Sequence, residues 1–135
     1  MKLDEVIKTL RSLYIKYNEE NIGQSPALLT EHLAKVVGYA NILYSHYAEI
    51  LERYRIQEAT IMAEENDSRN EWNDSVEKRE DKRTVDEKND RITVRLNPLK
   101  GQREKIEAEV KSATLHINTI QSLLKQYSDQ AKGLS

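Results

Sequence analysis

The stretch LTEHLAKVVGYANILYSHYAEILERYRIQEATI, residues 29–61, decides the fold. Its apolar residues recur as Leu29, Leu33, Val37, Ala40, Tyr44, Tyr47, Leu51, Tyr54 and Ile61. From Leu33 to Tyr54 the steps alternate four and three, the spacing of a coiled-coil seam on one face of a helix. Val36, Leu43 and Ile50 form a second row one position away. A face that wide asks for more than one neighbouring helix. Gly38 lies inside the run, where glycine costs about 1 kcal/mol relative to alanine; close helix approach is the reading that would justify it.

Upstream, Leu3, Val6, Ile7, Leu10, Leu13, Tyr14 and Tyr17 mark a short N-terminal helix within residues 1–22. Gly23 reads as its stop, and Ser25-Pro26 as the cap and first residue of the long helix over 26–61. Downstream, Ile106, Val110, Ala113, Ile117, Ile120, Leu124, Tyr127 and Ala131 repeat the four-three pattern, which predicts a C-terminal helix over 99–132, closed by Gly133. Asn97-Pro98 reads as its cap-plus-proline start, and Ile92-Thr93-Val94-Arg95-Leu96 as the one stretch with strand-like alternation. The apolar runs 29–61 and 99–131 each span 33 residues, roughly 50 Å of helix. The fold expected is a single all-α domain: an elongated antiparallel helical hairpin or coiled coil with a short N-terminal helix, Leu33–Ile61 packing against Ile106–Ala131. Residues 62–98 are then a charged arm or connector: a helical arm, a smaller hairpin or a mobile loop, with an arm containing some helix favoured.

Composition agrees with helices and narrows the function. Phe and Cys are absent, Gly and Pro total six, and a third of the residues are charged. Without Cys there are no disulfides or thiolate ligands, and a reducing compartment, the cytoplasm, is the expected location. No apolar run reaches the roughly 18 residues of a membrane span, and Asp4 and Glu5 sit where a signal peptide would be apolar. Catalytic signals are sparse. His32, His46 and His116 form no metal-binding helical pair, the four glycines are isolated, and Glu64-Glu65 lie in a charged segment with no evident cause for a tuned pKa. The expectation is a non-enzyme with no cofactor, no metal and no small-molecule substrate.

The charges are unevenly placed. Residues 58–77 hold seven acids and one base; residues 78–105 hold ten bases and six acids. The ten bases, Lys78, Arg79, Lys82, Arg83, Lys88, Arg91, Arg95, Lys100, Arg103 and Lys105, are the candidate nucleic-acid site, because phosphate binding needs several cations on one surface. The competing reading is a solvated helix face, since Glu80, Asp81, Asp86, Glu87 and Asp90 are interleaved. Tyr39, Tyr44, Tyr47 and Tyr54 could stack bases, but the spacing of three of them matches the seam. Trp72 stands nearly alone among charges and is a candidate partner contact.

From Leu43-Tyr44-Ser45-His46-Tyr47 the chain resembles the UvsY family of phage recombination mediators. The likeness continues through Ile50 to Ala63, and again from Asp90 through Ile92-Thr93-Val94 into the helix carrying Ala113, Ile117, Ile120 and Gln121. It implies a protein of the host cytoplasm that binds single-stranded DNA and assists loading of a recombinase; the apolar stripes on both long helices, with only a short helix to cover them, separately predict a homo-oligomer. The family places a basic, Tyr-containing segment after its first long helix. Here Glu58 to Asp74 is acidic, with Trp72 in place of the tyrosines, so no individual DNA contact carries over. The alternative is a coiled-coil assembly or adaptor protein that binds only protein, as a virion-assembly factor or an inhibitor of a host enzyme.

Overall fold

The computed structural model describes residues 1–133, and these are all-α: no strand occurs among them. Three helices follow in order, α1 (Leu3–Glu19), α2 (Pro26–Ser75) and α3 (Val85–Ala131), with single 3-10 turns at Ile22–Gln24 and Arg79–Asp81. None is long and apolar enough to cross a membrane.

The helix starts follow local chemistry. Ser25 caps α2 with Pro26 as its first residue: the Ser25 Oγ accepts the Leu28 amide at 3.3 Å and its carbonyl accepts the Leu29 amide at 2.9 Å. Thr84 does the same for α3, its Oγ1 accepting the Glu87 amide at 3.1 Å, with Asp86 and Glu87 placed at the positive end of the helix dipole. The stop of α1 is Asn21 rather than Gly23. Asn21 takes the left-handed conformation, φ 51°, which asparagine tolerates well, while Gly23 falls in the following 3-10 turn. At the other end Gly133, φ 74°, follows α3 as its spacing predicts.

The chain divides into two compact units. The first comprises Met1–Ala48 and the chain from Ile106 onward. Here α1 and parts of α2 and α3 contribute Val6, Leu10, Leu13, Leu29, Val36, Ala40, Leu43, Ile106, Ala113 and Ile120 to the interior. α2 and α3 are antiparallel: the Tyr47 hydroxyl donates to Glu107 Oε1 at 3.1 Å, Tyr44 meets Thr114 at 3.2 Å, and Ile120 packs with Leu29. α1 joins this pair, with Arg11 paired to Glu109 and His46 Nε2 donating to the Met1 carbonyl at 2.9 Å. Both apolar rows of α2 are used, which answers the width of its face. Gly38 is not a close-approach site, since a Cβ there would meet nothing within 4 Å.

The second unit, Glu49–Lys105, is a helical hairpin. Its buried apolar side chains are only Ile61 and Leu96. Three expectations are corrected here. Helix α2 does not end near Ile61 but runs on to Ser75. Residues 92–96 are helical, not extended. Pro98 does not start a helix; it lies inside α3. The reason for the last two is tertiary. Ile92, Leu96, Leu99, Arg103 and Ile106 keep the four-three rhythm straight through Pro98, so continuing the helix buries Leu96 and keeps the seam aligned. Proline removes one hydrogen bond, to the carbonyl of Val94, and Val94 is exposed, so water can serve that carbonyl. The register also differs: residues 49–61 of α2 lie in the unit that contains 92–105, and Tyr54 faces Arg103 rather than a residue beyond 106.

Candidate functional site

The second unit holds all ten predicted cations and Trp72, and most of its chemistry is internal pairing. Toward the middle of the unit, Glu65 occupies a seam position of α2, four residues after Ile61, and is only 4 % exposed. Two arginines of α3 reach it: Arg91 Nε donates to its Oε2 at 3.0 Å and Arg95 Nη1 to its Oε1 at 3.1 Å. Arg95 also pairs with Glu64 at 2.5 Å. The Arg91 hydrogen bond, aided by Arg95, holds the Glu65 carboxyl below its ordinary pKa. In turn the bonds that Arg95 donates to Glu64 and Glu65 raise its own pKa. The expectation that Glu64-Glu65 are untuned is therefore corrected: both side chains are bound, and Glu65 is shifted by charge-assisted hydrogen bonds.

Three more predicted cations are drawn into the hairpin. Lys88 donates to Asn66 Oδ1 at 2.7 Å. The guanidinium of Arg103 sits over the Tyr54 ring, 4.3 Å from its centroid. Arg83 closes the end of the hairpin. Its amide donates to Asn73 Oδ1 at 2.8 Å, and its carbonyl accepts from Arg69 Nε and Asn73 Nδ2. Its guanidinium donates to Ser68 and lies over Trp72, 4.9 Å from the ring centroid. The Trp72 indole N–H donates to the Asp81 carbonyl at 2.8 Å. Trp72 is thus a structural clamp on the 76–84 connector, although the residue is still 43 % exposed.

The other five, Lys78, Arg79, Lys82, Lys100 and Lys105, are exposed, and their side chains enter none of the hydrogen bonds or ion pairs found among the described residues. Lys78, Arg79 and Lys82 cluster in the connector, with Glu77, Glu80 and Asp81 interleaved. The structure therefore splits the predicted site: half of its cations have partners within the hairpin, Arg91 and Arg95 while still exposed, and half extend into solvent, unpaired among the described residues. The sequence reading missed the acceptors, Glu64, Glu65, Asn66 and Ser68. The signal was present, because continuing the seam of α2 in steps of four and three past Ile61 reaches Glu65, Ser68 and Trp72.

Three of the four candidate stacking tyrosines serve packing between α2 and α3 rather than an open platform: Tyr44 and Tyr47 contact α3 in the first unit and Tyr54 does so in the second. In the first unit, His32 and His116 face each other, Nε2 to Nε2 at 2.9 Å, with Tyr14 and Tyr17 of α1 against them. Among the described residues no group of three or more His, Cys, Asp or Glu side chains could hold a metal ion. The hairpin's concavities are shallow and open; one of about 370 Å³ is lined by Glu65, Asp90, Arg91, Val94 and Arg95. No family model, curated protein or solved structure matches the chain.

Proposed function

We propose that this chain is a non-enzymatic helical assembly or adaptor protein, homo-oligomeric and cytoplasmic, whose partners are proteins. The observation that carries this reading is the fate of the basic stretch. Arg83, Lys88, Arg91, Arg95 and Arg103 are committed to partners inside the hairpin. Two of them, Arg91 and Arg95, are neutralised by carboxylates, and such a cation releases few counterions on meeting a phosphate, so it adds little to nucleic-acid affinity; the others are tied by neutral partners that fix their side chains. Over residues 49–105 the acids outnumber the bases, 15 to 13, which leaves no net field to draw a polyanion. Protein contacts have a material basis in the same segment, where Leu51, Ile56, Met62 and Val94 are exposed.

A recombination mediator that binds single-stranded DNA and assists a recombinase is the second reading. It is favoured by the resemblance beginning at Leu43-Tyr44-Ser45 and by the solvent-facing Lys78, Arg79 and Lys82 beside Trp72. The two readings separate on one experiment, single-stranded DNA binding across a salt series with the parent and the Lys78→Ala/Arg79→Ala/Lys82→Ala variant. The adaptor reading expects little binding by either at physiological salt. The mediator reading expects binding whose log–log salt slope falls by about one unit for each phosphate contact removed.

A further inference from the structure

We propose that the His32–His116 pair is an acid-sensitive latch that holds α1 against α2 and α3. The two rings come from different helices and meet at Nε2 to Nε2, 2.9 Å. An N–H···N bond of this kind needs one nitrogen to donate and the other to accept. One added proton keeps the N–H···N bond, because an imidazolium can donate to a neutral imidazole, but it leaves a charge in a site from which burial excludes water, so even the first proton is resisted. A second proton does not keep it, since both facing nitrogens become donors and two like charges are left in contact.

The rings are covered by α1. Tyr14 lies 4.8 Å from the His116 ring, and Tyr17 lies 5.0 Å from His116 and 5.6 Å from His32, centroid to centroid. His32 is buried. Hydrating an imidazolium here therefore means lifting α1, the shortest of the three helices. Burial and the neighbouring His32 push His116 down to about 4. Burial also lowers His32, with Lys35 adding to the shift and Glu20 opposing it. The other groups around the pair are Lys16 of α1 and Glu31 of α2, which line the same small cavity as His32, and Glu109 of α3, which acts on Tyr14. None bonds either ring among the described residues, so the rings depend on each other.

The sign follows from linkage. Both histidines bind protons less readily in the docked state than when exposed. Docking therefore weakens as pH falls below about 6.5, and the loss continues toward pH 4. For His116 alone the undocking equilibrium should rise roughly tenfold between pH 7.5 and pH 5, allowing for partial solvent screening. Amide hydrogen exchange at these two pH values, corrected for intrinsic rates, reads this directly. The expected result is a loss of protection in α1 exceeding that in residues 110–125, and its absence in His32→Leu/His116→Leu. Unchanged α1 protection in the parent, or an equal loss in the double variant, would overturn the latch; the latter would assign the effect to carboxylates such as Glu20, Glu31 and Glu109. Should the double variant not fold, NMR titration of the parent's imidazole Cε1–H signals decides. The latch requires both rings to resist protonation until α1 amide shifts move with them; rings titrating near 6.5 with α1 unmoved would refute it.

Discussion

Replacing Ile120 by Ala probes the packing of the three-helix unit where it is best defined. Ile120 has no exposed surface and packs with buried Ile22 and Leu29, against Tyr17, Leu33, Leu123, Leu124 and Tyr127. The cluster it belongs to thus joins the end of α1, the 3-10 turn, the start of α2 and the later part of α3. The substitution removes three carbons, worth about 2.5 kcal/mol of transfer free energy at ~0.8 per methylene. Incomplete collapse of the cavity adds about 1 kcal/mol, for a loss near 3.5 kcal/mol. At ~2.1 cal/mol/K per residue, cooperative unfolding of the whole 135-residue chain lowers Tm by about 12 °C. Were the first unit to unfold alone, its roughly 80 residues would raise the shift to about 20 °C. Calorimetry or circular dichroism melts therefore report the size of the cooperative unit as well as the packing. A drop below about 4 °C, or one equal to that of the Leu115→Ala control, 67 % exposed, would refute the assignment of Ile120 to the core.

Two further substitutions test the helical register and the charged seam. Gly38→Ala should stabilise by about 0.5–1 kcal/mol, seen as a raised urea midpoint, because the added methyl meets nothing; destabilisation would show a neighbour absent from the packing described. Glu65→Gln should lower the urea midpoint at pH 7 and flatten its acid dependence. Glu65 titrates below its ordinary 4.5 when folded, so its contribution is present above that value and lost as pH falls beneath it. A variant whose midpoint tracks the parent's from pH 7 to pH 3 would show that Arg91 and Arg95 gain nothing from the carboxylate.

The helical class was legible in the sequence because periodicity reports what each side chain packs against. The runs around Leu29–Tyr54 and Ile106–Ala131 are apolar at the seam, and their helices were read correctly, as was the Ser25-Pro26 start. Past Ile61 the seam changes chemistry. Its interior positions become Glu65 and Ser68, matched by Arg91, Arg95 and Arg83, so a count of apolar residues sees a fading helix where α2 continues for fourteen more residues. Thr84-Val85-Asp86-Glu87 has the Ser/Thr-x-x-Glu spacing of a helix start, and reading it would have begun α3 correctly. Pro98 misled because a local rule was overridden by the seam on either side of it. The basic site was legible as composition but not as geometry: sequence shows ten cations, and only the fold shows which carboxylates, rings and neutral acceptors already hold five of them.

Sedimentation velocity of the parent protein with a fluorescently labelled single-stranded oligonucleotide, at micromolar concentration and physiological salt, tests the central claim most directly. The adaptor account predicts a species heavier than the monomer with the oligonucleotide sedimenting free. A monomer, or an oligomer that carries the oligonucleotide and releases it steeply as salt rises, would contradict it.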